Sequence, residues 1–280
     1  MTRVLVLHPG AMGASVVSAL AARCDVVAVR AGRREATLTR ATDAGASLVA
    51  DLAEGLDGTD LVVSVCPPAA AVSVAEEVAA HGYRGRYLDA NAVSPATVAS
   101  VAAALGADGD DGPSVTDGGI IGPPGWRPGT TRLVLSGGDA GEVAELFAGS
   151  PFETVVVGDE IGAASALKLA YAAWTKGSSA LLMAVAAFAE REGVMSELRD
   201  EWERSQPGLA NRLAGSAVGT APKAWRFVGE MEEIAAAFER HDLPTGFHRG
   251  AADLYEMLAV FRDEAPSFDE VAELLSDRRS

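Results

Sequence analysis

Arg3-Val4-Leu5-Val6-Leu7-His8-Pro9-Gly10-Ala11-Met12-Gly13 is the stretch on which the reading of this chain turns. Its first five residues form a short apolar run suited to a buried parallel strand. The stretch Ala14 to Arg23 that follows is amphipathic. Strand, glycine turn and helix in this order let backbone amides and a helix N-terminus cradle a pyrophosphate. The usual spacing is G-x-G-x-x-G, and here His8 stands at the first position with Gly10 and Gly13 at the second and third. Gly10 admits phosphates close to the backbone, and Gly13 lets the helix pack on the strand. Ala11 and Met12 complete the loop, and with the first glycine replaced, Pro9 helps to make the turn.

A second apolar run, Asp25 to Arg30, leads to Arg30, Gly32, Arg33 and Arg34. An NAD site carries an acidic residue here for the ribose hydroxyls, whereas arginines suit a 2′-phosphate, so the pattern favours NADP over NAD. The run Leu61 to Cys66 is closed by Pro67-Pro68, and its end belongs at the carboxyl edge of the sheet beside the cofactor. Cys66 reads as a packed small residue there rather than a nucleophile, with Pro67 next to it.

At 280 residues the chain is long for one core and comfortable for two domains. Forty-nine per cent of its residues are hydrophobic, yet the longest apolar stretch, Ala180 to Ala189, is too short to span a bilayer. Met1-Thr2-Arg3 runs straight into a strand, so no signal peptide is expected. Two cysteines, Cys24 and Cys66, give no disulfide framework and suit a reducing cytoplasm. A formal net charge of −16 argues against nucleic acid or an anionic membrane surface as a partner.

Strand-like and helix-like segments alternate over residues 1–157. Further strands are expected at Ser47-Leu48-Val49, Gly85 to Asp89, Ser114 to Ile121, Thr131 to Ser136 and Thr154 to Val157, with helices at Ala69–Ala80 and Pro95–Leu105. This is the pattern of an α/β, Rossmann-type, doubly wound and mostly parallel sheet. Gly106 to Gly112 reads as a short acidic loop. Residues 158–280 are helical in period and form an all-α domain joined by a long helix from about Glu160 to Glu192. Helices are expected near Ser196–Ser205, Leu209–Ala217, Ala221–His241, Phe247–Arg262 and Phe268–Asp277.

On the long helix Lys168 lines up with Ser165, Tyr171, Ala172 and Thr175, which lie three, four and seven residues away. A lysine within an Ala/Leu run is costly to bury unless it is paired or used. The alternatives are a lysine snorkelling to solvent and one that donates a proton to a carbonyl oxygen as hydride arrives from a nicotinamide. Tyr171 would bind the same oxygen. Asn91, after the fifth strand, is a candidate for contact with substrate or nicotinamide, whereas Ser94-Pro95 has the form of an ordinary helix start. The glycines of Asp117-Gly118-Gly119-Ile120-Ile121-Gly122-Pro123-Pro124 admit either a ligand or a tight turn. His241 and His248 have no clustered carboxylate or cysteine to complete a site, so no metal is expected.

Together these residues make the chain similar to the β-hydroxyacid dehydrogenase superfamily, which includes 3-hydroxyisobutyrate and 6-phosphogluconate dehydrogenases and imine reductases. Gly10-Ala11-Met12-Gly13 resembles its G-x-M-G loop, Ser94-Pro95 its substrate-loop ending, and Gly162 with Lys168 its catalytic-lysine segment. A subgroup with a phosphogluconate-dehydrogenase-like C-terminal domain is closer still. That likeness lies in Asp117 to Pro124, Thr131-Arg132-Leu133, Ala166-Leu167-Lys168 and Glu230-Met231-Glu232-Glu233-Ile234. The resemblance implies a homodimeric NADP- or NAD-dependent reductase of a small-molecule substrate. It makes Ser94 and Ile121 substrate-loop positions, beside which Gly119, Gly122 and Thr175 are read as substrate candidates, and it puts Phe247 and His248 in the helices with which a partner subunit closes the pocket. Three departures stand out: His8 for a loop glycine, Ala172 for the family's asparagine, and Ile121 for the serine of its V-S-G-G loop. The last two remove polar substrate contacts, which argues against a simple 3-hydroxy acid or phosphogluconate. The expected chemistry is reduction of a small carbonyl. An imine reductase is the alternative enzyme, although such members often carry Asp or Tyr at the lysine position, and a catalytically silent NADP-sensing protein is the alternative of another class.

Overall fold

The computed structural model describes residues 1–107, 109 and 112–277, and it divides into two compact units, Met1–Leu169 and Ala170–Ser280. The acidic loop over Gly106–Gly112 lies partly outside the described residues.

The first unit is built on an eight-stranded sheet of order β3-β2-β1-β4-β5-β6-β7-β8. Its strands are β1 (Arg3–Val6), β2 (Asp25–Val29), β3 (Ser47–Val49), β4 (Leu61–Ser64), β5 (Arg86–Asp89), β6 (Ser114–Ile121), β7 (Thr131–Ser136) and β8 (Phe152–Val156). Every neighbouring pair is parallel except β6 and β7, so the doubly wound, mostly parallel expectation holds. Between the strands run α1 (Ala11–Ala21), α2 (Glu35–Asp43), α3 (Leu52–Leu56), α4 (Ala71–Ala80), α5 (Pro95–Leu105) and α6 (Ala140–Leu146).

Period-two alternation sorts the strand residues onto two cores. Val4 and Val6 of β1, with Leu61 and Val63 of β4, face α1 and α6 and meet Val17, Leu20, Val143 and Phe147. Leu5 and Val62 face the other side, against Val78 of α4 and Val98 and Val101 of α5. Burial on both faces is why these strands read as unbroken apolar runs.

A 29-residue helix, α7 (Ala163–Arg191), leaves the sheet after β8. The second unit continues with α8 (Met195–Ser205), α9 (Leu209–Thr220), α10 (Ala224–Glu239), α11 (Gly246–Leu258) and α12 (Phe268–Ser276). Its core includes Met183, Leu213, Met231, Ile234, Tyr255 and Leu258. The helix expected over Ala221–His241 opens instead with a separate 3₁₀ turn at Ala221–Lys223, which contains Pro222. The one expected to end at Arg262 breaks after Leu258 into a second such turn. An 18-residue window of α7 has a mean hydropathy of 1.2, a length and composition found both in membrane spans and in the core helices of globular proteins. It contributes Ala164, Ser165, Ala180 and Met183 to buried positions.

Candidate active site

The glycine loop joins β1 to α1. Gly10 is the N-cap of α1 in extended geometry and donates its N–H to the His8 carbonyl at 2.7 Å. A Cβ on Gly13 would stand 2.2 Å from that same carbonyl oxygen, so the helix can seat on the strand end only with glycine there. A Cβ on Gly10 would meet nothing within 4 Å. The two glycines therefore differ: Gly13 is demanded by the fold, while Gly10 leaves open the space before the first amides of α1, which have no intrahelical partners. Ala11 is exposed and Met12 half-buried at the start of the helix.

Beside the loop lies a cavity of about 360 Å³ whose lining includes Leu7, His8, Val29, Arg33, Asp51 and Val78. Two of its polar atoms, His8 Nδ1 and Arg33 Nε, are buried without a hydrogen-bond partner among the described residues. Burial, with the Arg33 guanidinium second, pulls the His8 imidazole down to about 4, so it is neutral at pH 7. Arg30 and Arg34 are exposed on the same loop, which turns at Gly32 with φ +70°. An open cradle at Gly10, unpartnered nitrogens on His8 and Arg33 and no carboxylate at the end of β2 fit a phosphorylated nucleotide.

At the carboxyl edge of the central strands, Ser64, Asp89 and Ser136 each end their strand and are each fully buried. Asn91 ties the loops after β4 and β5 together. Its Oδ1 accepts from Cys66 N–H at 2.6 Å, and its Nδ2 donates to Ser64 Oγ at 3.1 Å and Asp89 Oδ2 at 2.9 Å. Asn91, expected from its place after β5 as a candidate for ligand contact, has its side chain committed to this staple. Burial raises the Asp89 carboxyl to about 6; the Asn91 hydrogen bonds and the Lys168 charge pull it down, and neighbouring Asp117 pushes it up. Cys66 is buried, with a thiol raised chiefly by that burial, as suits a packing residue. Pro67 beside it is exposed.

Asp117, fully buried on β6, organises the start of α7. Its Oδ2 accepts from the N–H groups of Gly162 and Ser165, both at 2.9 Å, and from Ser136 Oγ at 3.2 Å. Its Oδ1 accepts from Ser165 Oγ at 2.6 Å, and Ser136 Oγ in turn accepts from Ala164 N–H at 3.1 Å. Gly162, at φ +100°, enters the helix from the left-handed region. Half-buried Lys168 follows one turn later, with its stem against Gly119, where an added Cβ would stand 3.1 Å from Lys168 Cβ. Ile121, two residues further on the same strand face, packs with Val134 and Ala164.

The remaining expected residues have plainer surroundings. Ser94 caps α5, accepting from Thr97 N–H at 3.3 Å. Gly122, at φ +123°, lies against the Thr130 carbonyl and turns the chain out of β6. Tyr171 and Thr175 belong to the second unit. Tyr171 is 47 % exposed, and Thr175 Oγ1 bonds back to the Tyr171 carbonyl at 2.9 Å. Phe247 is 74 % exposed, whereas His248 is buried against Phe238 with ring centroids 4.5 Å apart. Among the described residues no group of three His, Cys, Asp or Glu side chains is placed to hold a metal ion. Sequence reasoning assigned no role to Asp117, Ser136, Asp89 or Ser64. The available signal was polar residues closing or interrupting apolar strands.

The strand order, the single antiparallel pair and the helical second unit define the chain as having the β-hydroxyacid dehydrogenase fold. Residues 189–258 match the model of a domain of unknown function, DUF1932. An uncharacterized 28.5 kDa protein of Methanothermus fervidus is 29 % identical over 215 residues, covering 76 % of this chain and 81 % of its own. A conserved hypothetical protein from Sinorhizobium meliloti is 26 % identical at TM-score 0.77, over 99 % of this chain and 96 % of its own. A 3-hydroxyisobutyrate dehydrogenase of Mycobacterium tuberculosis, solved with L-serine, is 18 % identical at TM-score 0.75, over 99 % and 100 % of the two chains. A reductive aminase of Aspergillus terreus, in complex with NADPH and ethyl levulinate, is 18 % identical at TM-score 0.56, over 98 % and 99 %.

Proposed function

We propose that this chain is an NADP-preferring oxidoreductase that reduces a small carbonyl compound, or oxidises the corresponding hydroxy compound, with Lys168 as general acid/base. The observation that carries the reading is the pinned start of α7. Buried hydrogen bonds from Asp117 hold the helix so that Lys168 stands over Gly119, on the strand that extends past the carboxyl edge where the glycine loop also opens. NADP, when bound, supplies the hydride. Gly10 and Gly13 with the first amides of α1 would hold its pyrophosphate, and Arg33 with Arg34 its 2′-phosphate. His8 and the cavity beside Arg33 would take the remainder of the adenosine half. Lys168 then delivers a proton to the carbonyl oxygen, or withdraws it in the reverse direction, with Tyr171, one helical turn on, as the group that orients that oxygen. Asn91 contributes by fixing the strand-end loops.

The greater similarity to a hydroxyacid dehydrogenase, at TM-score 0.75, than to a reductive aminase, at 0.56, supports carbonyl over imine chemistry. The aminase likeness keeps imine reduction as the second reading. The family resemblance implies a homodimer, and an apolar groove of about 700 Å³ in the helical unit, which includes exposed Trp174, Leu181 and Phe247, supports that reading. Buried free Cys24 and Cys66 suit the cytoplasm, and the net charge of −16 speaks against nucleic acid.

The test is a fluorescence titration with NADPH and NADH, followed by a screen of aldehydes, keto acids and cyclic imines. The expected result is tighter NADPH binding, with the preference lost in Arg33→Ala/Arg34→Ala, and turnover that Lys168→Ala abolishes while NADPH affinity is kept. Absence of binding to either nucleotide overturns the proposal. Binding without turnover of any substrate leaves only a silent sensor.

A further inference from the structure

In an ordinary helix the N-cap acceptor comes from the residue just before the first turn. In α7 it comes from a strand 45 residues upstream in sequence. Gly162 cannot cap by side chain, and the Asp117 carboxylate takes over, accepting two backbone N–H groups directly and a third through Ser136. A carboxylate is the right group for that position, since it meets both the unpaired amides and the positive end of the helix dipole. The same strand then sets the lysine. Side chains two apart on β6 share a face. Asp117 therefore grips the first turn of α7 at Ser165, while Gly119, two residues on, leaves just enough room for the Lys168 stem one turn later. Gly118 faces the other way, where a Cβ would stand 2.8 Å from the Leu88 side chain and 3.0 Å from the Asp89 carbonyl, so β6 packs closely against β5 there.

From this geometry we infer that Asp117, acting with Ser136 and Ser165, is the positioning residue that fixes the Lys168 amine at the reaction centre. Asp89 also faces it, paired with Asp117 in the β5–β6 register and sensing both Asp117 and Lys168. The inference rests on the reading of Lys168 as the acid/base, and its test does not depend on turnover alone. The chain has three lysines, Lys168, Lys176 and Lys223. Acetylation of the intact protein by an N-hydroxysuccinimide ester, read peptide by peptide in a mass spectrometer, gives the labelling rate of Lys168 relative to exposed Lys223.

Asp117→Asn and Ser165→Ala are each expected to change that ratio at least threefold and to raise amide exchange at Ala164 and Ser165. NADPH affinity should stay within twofold of wild type, and kcat should fall at least tenfold with little change in KM. A conservative Ser165→Thr should recover most of both signals, which a loss of general stability would not. An unchanged labelling ratio in the folded variants overturns the inference even if the enzyme is active. If no substrate is ever turned over, the functional reading fails while labelling and exchange still decide the positioning claim. Should Asp117→Asn not fold, Ser165→Ala and Ser136→Ala carry the same decision.

Discussion

Gly10 and Gly13 make separable contributions, and alanine at each should show it. At Gly13 the added Cβ meets a backbone oxygen at 2.2 Å, over 1 Å inside ordinary contact, and its carbon at 3.0 Å. No rotamer change relieves a clash with backbone, so either α1 or the end of β1 must move. Overpacking of this kind costs about 1–3 kcal/mol, offset by up to about 1 kcal/mol from the better helix propensity of alanine. The net loss should be on the order of 2 kcal/mol, a Tm fall of roughly 4–8 °C for a chain of this size class. At Gly10 φ is −68° and ψ −162°, a conformation open to any residue, and the Cβ meets nothing. The weaker N-cap tendency of alanine and its lower unfolded-state entropy, each about 0.5 kcal/mol, nearly cancel. Gly10→Ala should therefore keep its Tm but lose at least about tenfold in NADPH affinity, or about 1.4 kcal/mol, by standing where phosphate approaches the amides. Thermal unfolding without nucleotide and fluorescence titration with NADPH read the two quantities separately. A Gly13→Ala protein as stable as wild type, or a Gly10→Ala protein binding NADPH as well as wild type, would refute this division.

His8 should leave a signature in the pH dependence of stability. Its folded value of about 4 lies below the ordinary 6.5, so between those limits the unfolded chain takes up a proton that the folded chain refuses. Its contribution is thus present above pH 6.5 and lost as pH falls toward 4. His8→Ala should stand closer to wild type, or above it, in Tm at pH 4.5 than at pH 7.5; a difference independent of pH would show that His8 is not held neutral. At the far end of α7, the Arg191 guanidinium donates to the carbonyls of Leu275, Ser276 and Asp277 and closes the C-terminus of α12. Arg191→Ala should cost about 1 kcal/mol and raise amide exchange in α12 while leaving exchange in the sheet unchanged, which hydrogen exchange with mass spectrometry resolves.

The first unit was legible because its instructions are local. Arg3–Val6 and Leu61–Ser64 announce buried strands by their own composition, and the glycine loop announces a strand–helix turn by spacing alone. Gly13 was read correctly as a packing glycine for the same reason. Asp117 was passed over because its role is written 45 to 48 residues away, in the amides of Gly162 and Ser165. Inside its own stretch it is merely the acid before a pair of glycines. Asn91 was read from its loop position as a candidate for ligand contact; its side-chain partners Ser64 and Cys66, 27 and 25 residues earlier on a different strand and its loop, were not legible there. In the helical unit the helices could be counted from their period. The breaks at Ala221–Lys223 and Ala259–Phe261 depend on tertiary packing that no local pattern states.

Strand β6 shows why the reaction can be placed on this chain more firmly than its substrate. Three alternate residues on one face do three jobs. Asp117 fixes the helix, Gly119 receives the lysine stem, and Ile121 joins Val134 and Ala164 in a small apolar cluster. The first two bear on the proposed proton-transfer group and would serve any carbonyl or imine. The third is where the resembling family presents a serine to its substrate, and here the side chain is only 9 % exposed and taken up in packing. A hydroxyl at that position would be buried among apolar neighbours at a cost of about 1–3 kcal/mol unless it found a partner. The loss of that polar contact is therefore built into the packing of α7 on the sheet, and recognition of the substrate's far end must come from other residues, while Lys168 keeps its place.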